Sequence, residues 1–368
     1  MAEQESSPAA ISKTGFLAMA ARNHRNFMSY SIGVDLGGTN LRIAAVDDRG
    51  TLLEKVTLGT ETQRGREFVI SEMTTAIRSV IAKYKDKGDL IGIGIGVPGF
   101  IDMDTGTVLD SPNLPGWADY PVHQDIEHRL GAKVVLENDD NAAAMGEKWL
   151  GAGRDVNELV MFTLGTGVGG GIILGGRVWH GMKGMAGELG HSMVVPDGHP
   201  CGCGSHGCLE QYASATAIVR MAKEAVAKGM SDPMARASRN DVEFSSKVVY
   251  QLAIQGDKAA QEIFATVGRC LGIAVGNFVN ALNFPMYVIG GGVVSAWDAF
   301  SPAMFAELPV RSFIYRVTMP DAVKPGDKRT IVTRSLLGSD AGLFGAARLP
   351  MLVANDKNPG VPTAAPIR

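Results

Sequence analysis

The sequence predicts an α/β protein of two domains, and three observations support that prediction. Short apolar runs alternate with helical patterns along the chain, as in proteins that pack helices against a sheet. Two segments, residues 32–46 and 160–174, share one plan of apolar strand, Gly/Thr-rich turn and apolar strand. The chain has 368 residues, 45% of them hydrophobic, which is enough for two buried cores. We therefore expect a duplicated domain in which each copy offers a glycine turn to one shared ligand.

The predicted elements follow from hydrophobic periodicity. Seven apolar runs are expected to form strands: SIGVDLG (31–37), LRIAAVD (41–47), LIGIGIGVPG (90–99), KVVLEN (133–138), LVMFTLG (159–165), GGIILGG (170–176) and MYVIGGG (286–292). Helices are predicted over residues 67–84, 141–150, 213–228 and 258–282, and a closing helix over 339–347 should pack back on the first domain. In the 258–282 segment, Leu271, Val275, Phe278 and Leu282 share one face, which indicates a buried core helix.

Composition and charge exclude several classes of function. A net charge of −3 provides no bulk attraction for nucleic acid or for an anionic membrane. Residues 1–30 lack the features of a signal peptide and are expected to form a flexible extension, while the proline-containing residues 353–368 should form a flexible tail. The apolar stretch 159–176 contains seven glycines and is not a membrane span. We expect a cytoplasmic protein that acts on small molecules, with no nucleic acid and no membrane as partners.

The clustered glycines indicate an anion site. Backbone N–H groups in glycine turns form nests that bind anions, and phosphate is the obvious candidate. Gly165, Gly167 and Gly170 also satisfy the G-x-G-x-x-G pattern of dinucleotide-binding folds, but that pattern must open into a helix and here a second strand follows. A Walker A motif is excluded because no G-K-[ST] follows these glycines.

Five motifs together resemble one known family. They are DLGGTN (35–40), ENDDNAAAMGEKWLGAG (137–153), TLGTGVGGGII (163–173), GELGH (187–191) and CGCGSHGCLE (201–210). In this order and spacing, from about residue 31 to residue 347, they resemble the ROK family of repressors and sugar kinases, in particular its bacterial glucokinases. The resemblance implies a two-lobed actin-like, ribonuclease-H-like ATPase fold with a cleft between the lobes. It also implies ATP- and Mg²⁺-dependent phosphorylation of a hexose at its 6-hydroxyl by a homodimer.

The same resemblance implies a division of the chain into domains. A small α/β domain would comprise residues 31–138 and 335–352, because the closing helix returns to it. A large α/β domain would comprise residues 139–334 and include a zinc-binding loop at 187–210.

Phosphoryl transfer from ATP needs cradled phosphates, a metal that neutralises charge and a carboxylate that orients the attacking hydroxyl. Two glycine turns are expected to hold the phosphates, through Gly37, Gly38 and Thr39 and through Thr166, Gly167 and Gly169. Asp35 would hold Mg²⁺ through water, with a turn-capping role as the alternative. In the resembled fold the turn at Gly291 and Gly292 lies against the adenosine.

Asp139 is the expected general base, because it falls at the position of the family's catalytic Asp. Alternatively, Asn138, Asp139 or Asp140 merely caps the helix that follows. A helix amino terminus should favour the ionised form of Asp139 and so make it a weaker base. Asp140 departs from the family, which usually has a small residue at this position. By the same mapping, the residues expected to line the hexose are Asn113, Asn138, Asp139, Glu188, His191 and Glu210. Gly99 would allow close backbone approach, and Trp117 is expected to pack.

The cysteine-rich segment predicts a structural zinc site. Three thiolates and one imidazole suit a closed, four-coordinate zinc ion with no position for substrate. The expected ligands are His191, Cys201, Cys203 and Cys208. His199 and His206 remain alternatives for the fourth ligand. A redox role is disfavoured because no C-x-x-C pair and no oxidising compartment are indicated, and Cys270 is expected to be a buried spectator.

The identity of the sugar stays open at this point, because the expected contacts read hydroxyls that many hexoses share. Glucose, giving glucose 6-phosphate, is favoured by overall likeness, with N-acetylmannosamine, N-acetylglucosamine, fructose and allose as rivals and polyphosphate as a rival donor. A DNA-binding repressor is disfavoured because only 30 residues precede the first predicted strand, whereas a homeodomain-type module uses three helices. A sugar sensor without kinase activity would not need Asp139.

Overall fold

The computed structural model describes residues 28–239 and 243–356, in which two five-stranded sheets share one topology. The strands of the first sheet and its flanking hairpin are β1 (Met28–Leu36), β2 (Asn40–Asp47), β3 (Leu52–Gly59), β4 (Gly88–Val97), β5 (Phe100–Asp102), β6 (Thr107–Asp110) and β7 (Val134–Asn138). Those of the second sheet are β8 (Leu159–Leu164), β9 (Val168–Leu174), β10 (Arg177–Val178), β11 (Met286–Gly290) and β12 (Ile331–Arg334). The strand orders are β3-β2-β1-β4-β7 and β10-β9-β8-β11-β12.

In both sheets the first three strands are antiparallel neighbours and the last two run parallel to the first strand. This shared arrangement confirms the duplication that the two glycine hairpins predict. We call residues 28–138 the first lobe and residues 150–334 the second lobe.

The helices are α1 (Arg66–Tyr84), α2 (Val122–Leu130), α3 (Asp139–Trp149), α4 (Glu210–Ala213), α5 (Ala215–Ala227), α6 (Asp232–Ala237), α7 (Ser246–Ile254), α8 (Lys258–Leu282), α9 (Trp297–Arg311), α10 (Phe313–Thr318) and α11 (Ala341–Asp356). In the first lobe, side chains of α1 and α2 form one core with β1, β2, β4 and β7, because alternate residues of these strands point to that face. In the second lobe, α5, α7, α8 and α9 cover the equivalent face of β8 and β11.

Helix α8 confirms the prediction of a buried core helix. It is long and apolar enough to cross a membrane by length and composition alone. Leu271 and Val275 are fully buried, and Gly268 and Gly272 allow α9 to approach so closely that a Cβ would be 2.1 Å from the Phe300 carbonyl oxygen at Gly268. Its apolar face is therefore satisfied by packing inside the second lobe.

Helices α3 and α11 lie between the two sheets and cross each other closely. Helix α11 covers β1 and β4 of the first sheet, while α3 packs on β8 and β9 of the second. A Cβ on Gly345 would be 1.6 Å from the Ala142 carbonyl oxygen, and one on Gly146 would be 2.0 Å from the Ala341 carbonyl oxygen. Glycine at both positions is therefore a requirement of this crossing, which joins the two lobes.

A buried carboxylate fixes the chain on either side of the α3–α11 crossing. Glu147 of α3 is fully buried, and its two oxygens accept hydrogen bonds from the backbone N–H groups of Ala152, Leu336 and Leu337 at 2.8, 3.1 and 2.8 Å. These bonds compensate for burying the charge. They also tie α3 to the segment that leads from β12 into α11.

All seven predicted strands are present, and the predicted helices are confirmed with three changes. The segment 213–228 is two helices, because Ser214 ends α4 and caps α5 by accepting a hydrogen bond from the Ala217 N–H. The 141–150 helix begins at Asp139. The closing helix extends from Ala341 to Asp356, so residues 353–356 belong to it and not to the predicted tail, and β1 begins at Met28 inside the predicted extension. The remainder of that tail and extension lies outside the described residues.

Candidate active site

The corner between β7 and α3 carries the expected general base, and its helix cap is Asn138. The side-chain oxygen of Asn138 accepts hydrogen bonds from the backbone N–H groups of Asp140 and Asn141 at 3.0 and 3.1 Å. Its amide group donates to the Gly99 carbonyl at 3.1 Å. A cap of this kind satisfies N–H groups that the first turn leaves unpaired and contributes about 1 kcal/mol. The carboxylate of Asp139 is therefore not needed as a cap.

Asp139 is the first residue of α3 and is partly buried. Burial raises the pKa of its carboxyl well above the usual range, and the negative charges of Asp140 and Asp35 raise it further. The backbone N–H groups of Asp139 and Asp140 act in the opposite direction, because they favour the carboxylate. The expectation that the helix end makes Asp139 a weaker base is thus wrong, since desolvation outweighs the helix terminus. A raised pKa suits a general base.

Asp140 is held by the second lobe. Its Oδ1 accepts a hydrogen bond from the Thr163 hydroxyl at 2.5 Å, and its Oδ2 fills the position of a side chain at Gly169, where a Cβ would be 1.7 Å away. Burial raises the pKa of Asp140 to about 6, while the Thr163 hydroxyl lowers it. Asp139 has no side-chain hydrogen-bond partner among the described residues. The two aspartates therefore differ: Asp140 is anchored by the Thr163 hydroxyl, whereas Asp139 lacks a side-chain partner among the described residues.

Asp35, the expected Mg²⁺ partner, lies at the end of β1 and is paired with Arg42 of β2. The two residues are direct partners in the strand register, and Arg42 Nη1 donates to Asp35 Oδ2 at 3.0 Å and to the Ser339 carbonyl at 3.0 Å. Burial raises the pKa of Asp35, and the Arg42 guanidinium acts in the opposite direction. Arg42 was not predicted from the sequence, although a cation inside an apolar strand, directly across the hairpin from Asp35, indicates such a pair.

The first expected phosphate turn, residues 37–39, follows β1 and is exposed at Gly38 and Thr39. The Thr60 hydroxyl donates a hydrogen bond to the Gly37 carbonyl at 2.6 Å. The exposed Asn113 lies against the same turn, because a Cβ on Gly38 would be 3.3 Å from the Asn113 carbonyl oxygen. Asn113 thus borders the phosphate turn of the first lobe.

The second expected phosphate turn joins β8 to β9 and has Thr166 at its exposed tip. The Thr166 carbonyl accepts a hydrogen bond from the Thr216 hydroxyl at the start of α5, at 2.8 Å. Glu210 Oε2 accepts the Val168 N–H at 3.1 Å, and a Cβ on Gly167 would be 2.5 Å from the same oxygen. Glu210 therefore supports this turn, and a side chain at Gly167 would displace it.

The third glycine turn, expected against adenosine, lies beside the second. Strands β8 and β11 run parallel and pair directly, so the segments that follow them meet at one edge. Gly291 has φ 86°, and a Cβ there would be 2.4 Å from the Leu164 carbonyl oxygen. Both observations require glycine at this position. Gly292 is exposed, with open space beside its Cα.

The cysteine-rich segment forms one group of candidate metal ligands. One ligand atom each from His191, Cys201, Cys203 and Cys208 lies within 4.8 Å of the others. Nδ1 of His191 is 3.6 Å from Cys201 Sγ, and the sulfurs of Cys203 and Cys208 are 3.7 Å apart. All four cysteines of the chain are free. Three thiols and one imidazole are a ligand set typical of closed structural zinc sites, and neither His199 nor His206 belongs to this group.

Glu188 and Glu210 both lie beside this group. Nε2 of His191 points away from the cysteines and is 3.8 Å from Glu188 Oε2. Partial burial raises the pKa of Glu188. Glu210 Oε1 is 3.9 Å from Cys201 Sγ, so this side chain lies between the cysteines and the second phosphate turn. The structure therefore brings His191 and Glu188 together. Glu210 lies between the cysteine–histidine group and the second phosphate turn.

Three other features lie away from these groups. Trp117 is buried in the first-lobe core, 1% exposed, as the packing role predicts. Cys270 is buried in the second-lobe core. A surface cavity of about 370 Å³ shares no residue with the site, being lined by Phe305, Tyr315, Met319, Pro320, Asp321, Ile331 and Val332.

The chain is similar to known proteins over most of its length. Residues 31–351 match the profile described as ROK family. The chain is 38% identical to the glucokinase of Halalkalibacterium halodurans over 89% of its own length and 97% of that protein, and 39% identical to the glucokinase of Thermotoga maritima over 86% and 96%. Among solved structures, the ROK glucokinase of Streptomyces griseus in complex with glucose and AMPPNP is 34% identical, with a TM-score of 0.69 over 87% of this chain and 98% of that one.

These likenesses agree with the two sheets of shared topology, and the fold is accordingly the two-lobed actin-like ATPase fold. Two sheets of the same topology are expected for a duplicated core, and the family match at residues 31–351 includes both sheets. The chain belongs to the ROK family.

Proposed function

We propose that this chain is an ATP-dependent hexokinase of the glucokinase type, which transfers the γ-phosphate of ATP to the 6-hydroxyl of glucose. The observation that carries the proposal is the free, partly buried carboxylate of Asp139, whose pKa is raised, at the start of α3. The similarity to glucokinases at 38–39% identity supports glucose as the acceptor. The products are glucose 6-phosphate and ADP.

Asp139 acts as the general base. Its carboxylate orients the 6-hydroxyl and accepts the proton as the oxygen bonds to the γ-phosphorus, while the bond between the γ-phosphorus and the bridging oxygen of ADP breaks. In a loose phosphoryl-transfer transition state the proton can leave late, so orientation by Asp139 matters more than its basicity. Asp140 is excluded from this role by its bond to Thr163 and its contact with Gly169.

The nucleotide binds at the edge formed by the glycine turns. The backbone N–H groups available for the phosphates are those of Gly38 and Thr39 in the first turn and of Thr166 and Gly167 in the second, because the Gly37 N–H donates to the Asn40 carbonyl and the Val168 N–H to Glu210. The turn at Gly291 and Gly292 would face the adenosine. Side chains at Gly167, Gly169 and Gly291 would clash with Glu210, Asp140 and Leu164, so these turns require glycine to keep their close-packed conformation. Mg²⁺, when bound, neutralises charge on the phosphates, and Asp35 at the end of β1 fits a partner that acts through water.

The hexose binds beside the β7–α3 corner. Glu188 and the Nε2 atom of His191 are the groups best placed for its hydroxyls, since neither is engaged in the packing of the turns. Asn138 and Glu210 are largely occupied, the first by the helix cap and Gly99, the second by the Val168 N–H. We assign these two, with Asn113, to the periphery of the sugar site, where each keeps part of its hydrogen-bonding capacity.

The group of His191 and three cysteines binds one structural zinc ion, for which the donor set fits. With Nδ1 as the zinc ligand, His191 would keep a single tautomer, and its Nε2 would remain available for the sugar. We expect about one zinc per chain by elemental analysis. The variant Cys203→Ala should lose zinc, melt at a lower temperature and show a raised KM for glucose.

The exposed Ser205 provides a matched control in the same loop, since Ser205→Ala should keep the metal. A metal-free Cys203→Ala protein with unchanged melting temperature and unchanged glucose KM contradicts the assignment.

We also propose that the enzyme is a cytoplasmic homodimer whose domains comprise residues 31–138 with 335–352, and residues 139–334. The two sheets and the return of α11 to the first one support this division. The net charge of −3 supports a protein without nucleic acid or membrane partners.

A kinase assay across sugars and donors tests the proposed function. Glucose, mannose, fructose, allose, N-acetylglucosamine and N-acetylmannosamine are each compared with ATP and with polyphosphate, in a coupled assay of kcat/KM. We expect glucose with ATP to give the highest value. A higher value for another pair would reassign the substrate, and no transfer to any sugar would refute the kinase.

A further inference from the structure

Residues 179–188 form a loop that connects β10 to the turn containing His191 and that ends at Glu188. This loop follows β10 of the second lobe, yet it contacts the first lobe at two points. The Ala186 N–H donates to the His180 carbonyl at 3.1 Å, so the loop closes on itself between these points. Neither contact belongs to the proposed phosphate turns, sugar-binding residues or zinc ligands.

The first contact is an ion pair between His180 and Glu137. Glu137 belongs to β7, lies two residues before Asp139 and is 2% exposed. Its Oε2 is 2.7 Å from His180 Nε2, and its Oε1 accepts hydrogen bonds from the Asn141 amide at 3.2 Å and from the Asn138 N–H at 3.0 Å. Both carboxylate oxygens are therefore satisfied. The hydrogen bond to Glu137 raises the pKa of His180, which favours the charged imidazolium beside the carboxylate.

The second contact is made by Gly184 against β5. Gly184 has φ 79°, and a Cβ there would be 2.6 Å from the Ile101 carbonyl oxygen and 2.9 Å from the Met103 side chain. A larger residue at this position would push the loop away from the first lobe. After Gly184 the loop returns to the second lobe, where a Cβ on Gly187 would be 2.8 Å from the Gly170 carbonyl oxygen.

Glu137 also links the loop to the catalytic corner. The same carboxylate that binds His180 contacts Asn138, which caps α3, and Asn141, which lies on the first turn of α3 behind Asp139. Glu137 thus connects the start of α3 to His180, and the His180 carbonyl is bonded in turn to the Ala186 N–H, two residues before Glu188. Without the contact between His180 and Glu137, the loop would lack this anchor on the first lobe.

We propose that His180 is a positioning residue for hexose binding, which through Glu137 holds loop 179–188 on the first lobe and so sets Glu188 opposite Asp139. This inference rests on the proposed function, in which Glu188 binds hydroxyls of the hexose. His180 would maintain the position of Glu188 that this role requires. His180 itself is not assigned a contact with the substrate or a part in proton transfer.

Steady-state kinetics with glucose and ATP varied separately tests this proposal. His180→Ala should raise the KM for glucose about tenfold or more, because a hydrogen bond to a buried charge is lost, and should leave the KM for ATP within about twofold. His180→Gln keeps an N–H donor for Glu137 and should restore the glucose KM to within about threefold of the wild-type value. The exposed His128 of α2 provides the matched control, His128→Ala.

Gly184→Ala provides a second test, which applies even if His180→Ala does not fold. Its methyl group would push the same loop away from the Ile101 carbonyl oxygen. It should reproduce the selective rise in glucose KM. An unchanged glucose KM in a folded variant, or an equal rise in both KM values, overturns the proposal. If instead the wild-type chain transfers no phosphate to glucose, the proposed function fails and the glucose KM of the variants has no bearing.

Discussion

At the scale of single residues, the two adjacent aspartates of the β7–α3 corner differ because their partners differ. Asp140 is held by the Thr163 hydroxyl and fills the space beside Gly169, whereas Asp139 is free of side-chain partners. Sequence spacing alone could not separate them, since both lie on the first turn of one helix. The distinction depends on β8 and β9, which are more than 20 residues away along the chain.

The charge of Asp140 should contribute to the pH dependence of catalysis, in addition to the larger effect of the burial of Asp139. Activity requires the carboxylate form of Asp139, so kcat/KM falls as the pH decreases through the raised pKa of Asp139. Asp140 is one cause of that raised pKa. Asp140→Asn removes the charge and keeps an acceptor for Thr163, so the acid limb of the profile should move to lower pH.

The exposed Asp155 provides the control for this shift, because Asp155→Asn removes the same charge far from the helix start. Its profile should match that of the wild-type protein. An acid limb that stays in place in Asp140→Asn, or that moves to higher pH, would show that Asp140 does not tune Asp139.

At the scale of elements, the sequence predicts those strands and helices whose signal is local. Strongly apolar strands such as β1 and β8 and the long helix α8 were predicted correctly. The edge strand β3 was missed because it alternates exposed and half-buried residues, including Glu54 and Lys55. Helix α9 was missed because it contains Pro302 and Pro309, which normally indicate that a helix ends.

The crossing of α3 and α11 provides the sharpest prediction at this scale. Gly345→Ala would place a methyl group 1.6 Å from the Ala142 carbonyl oxygen, so the helices must separate. We expect the free energy of unfolding to fall by about 1–3 kcal/mol or more. Thermal unfolding measures the change. Gly292→Ala, which has open space at its Cβ position, should change stability by less than about 0.5 kcal/mol and serves as the control.

An unchanged melting temperature for Gly345→Ala would mean that the helices do not cross as closely as described. The glycine pair could not be predicted from the sequence, because Gly345 and Ala142 are brought together only by the return of α11 to the first sheet.

At the scale of the whole molecule, the repeated hairpins predicted the duplicated architecture. The motif set predicted the four residues of the cysteine–histidine group, which the structure brings within 4.8 Å of one another. The long-range pairs escaped prediction. Glu137 and His180 are 43 positions apart, and Glu147 bonds to a segment 189 positions away. Polar partners at such separations leave no periodic pattern, so the sequence shows the residues but not the pairing. The pair Asp35 and Arg42 also escaped prediction, although one hairpin sets its register.

In the proposed function, both lobes present ATP and glucose to one carboxylate, that of Asp139. The raised pKa of Asp139 also affects the stability of the fold. A raised folded-state pKa means that the stabilising contribution of the protonated group is present below the usual aspartate range and is lost as the pH rises through the raised value. At neutral pH the charged carboxylate is therefore unfavourable for the fold. Replacing it by a neutral amide should not lower the melting temperature.

The most direct test compares wild-type protein with Asp139→Asn in the presence of glucose, ATP and Mg²⁺, with the product identified by phosphorus NMR. The wild-type protein should convert ATP and glucose into equal amounts of ADP and glucose 6-phosphate. Asp139→Asn should still bind glucose, melt no lower than wild type at neutral pH and lose about 10²-fold or more in kcat. Near-normal turnover by this variant would contradict the account.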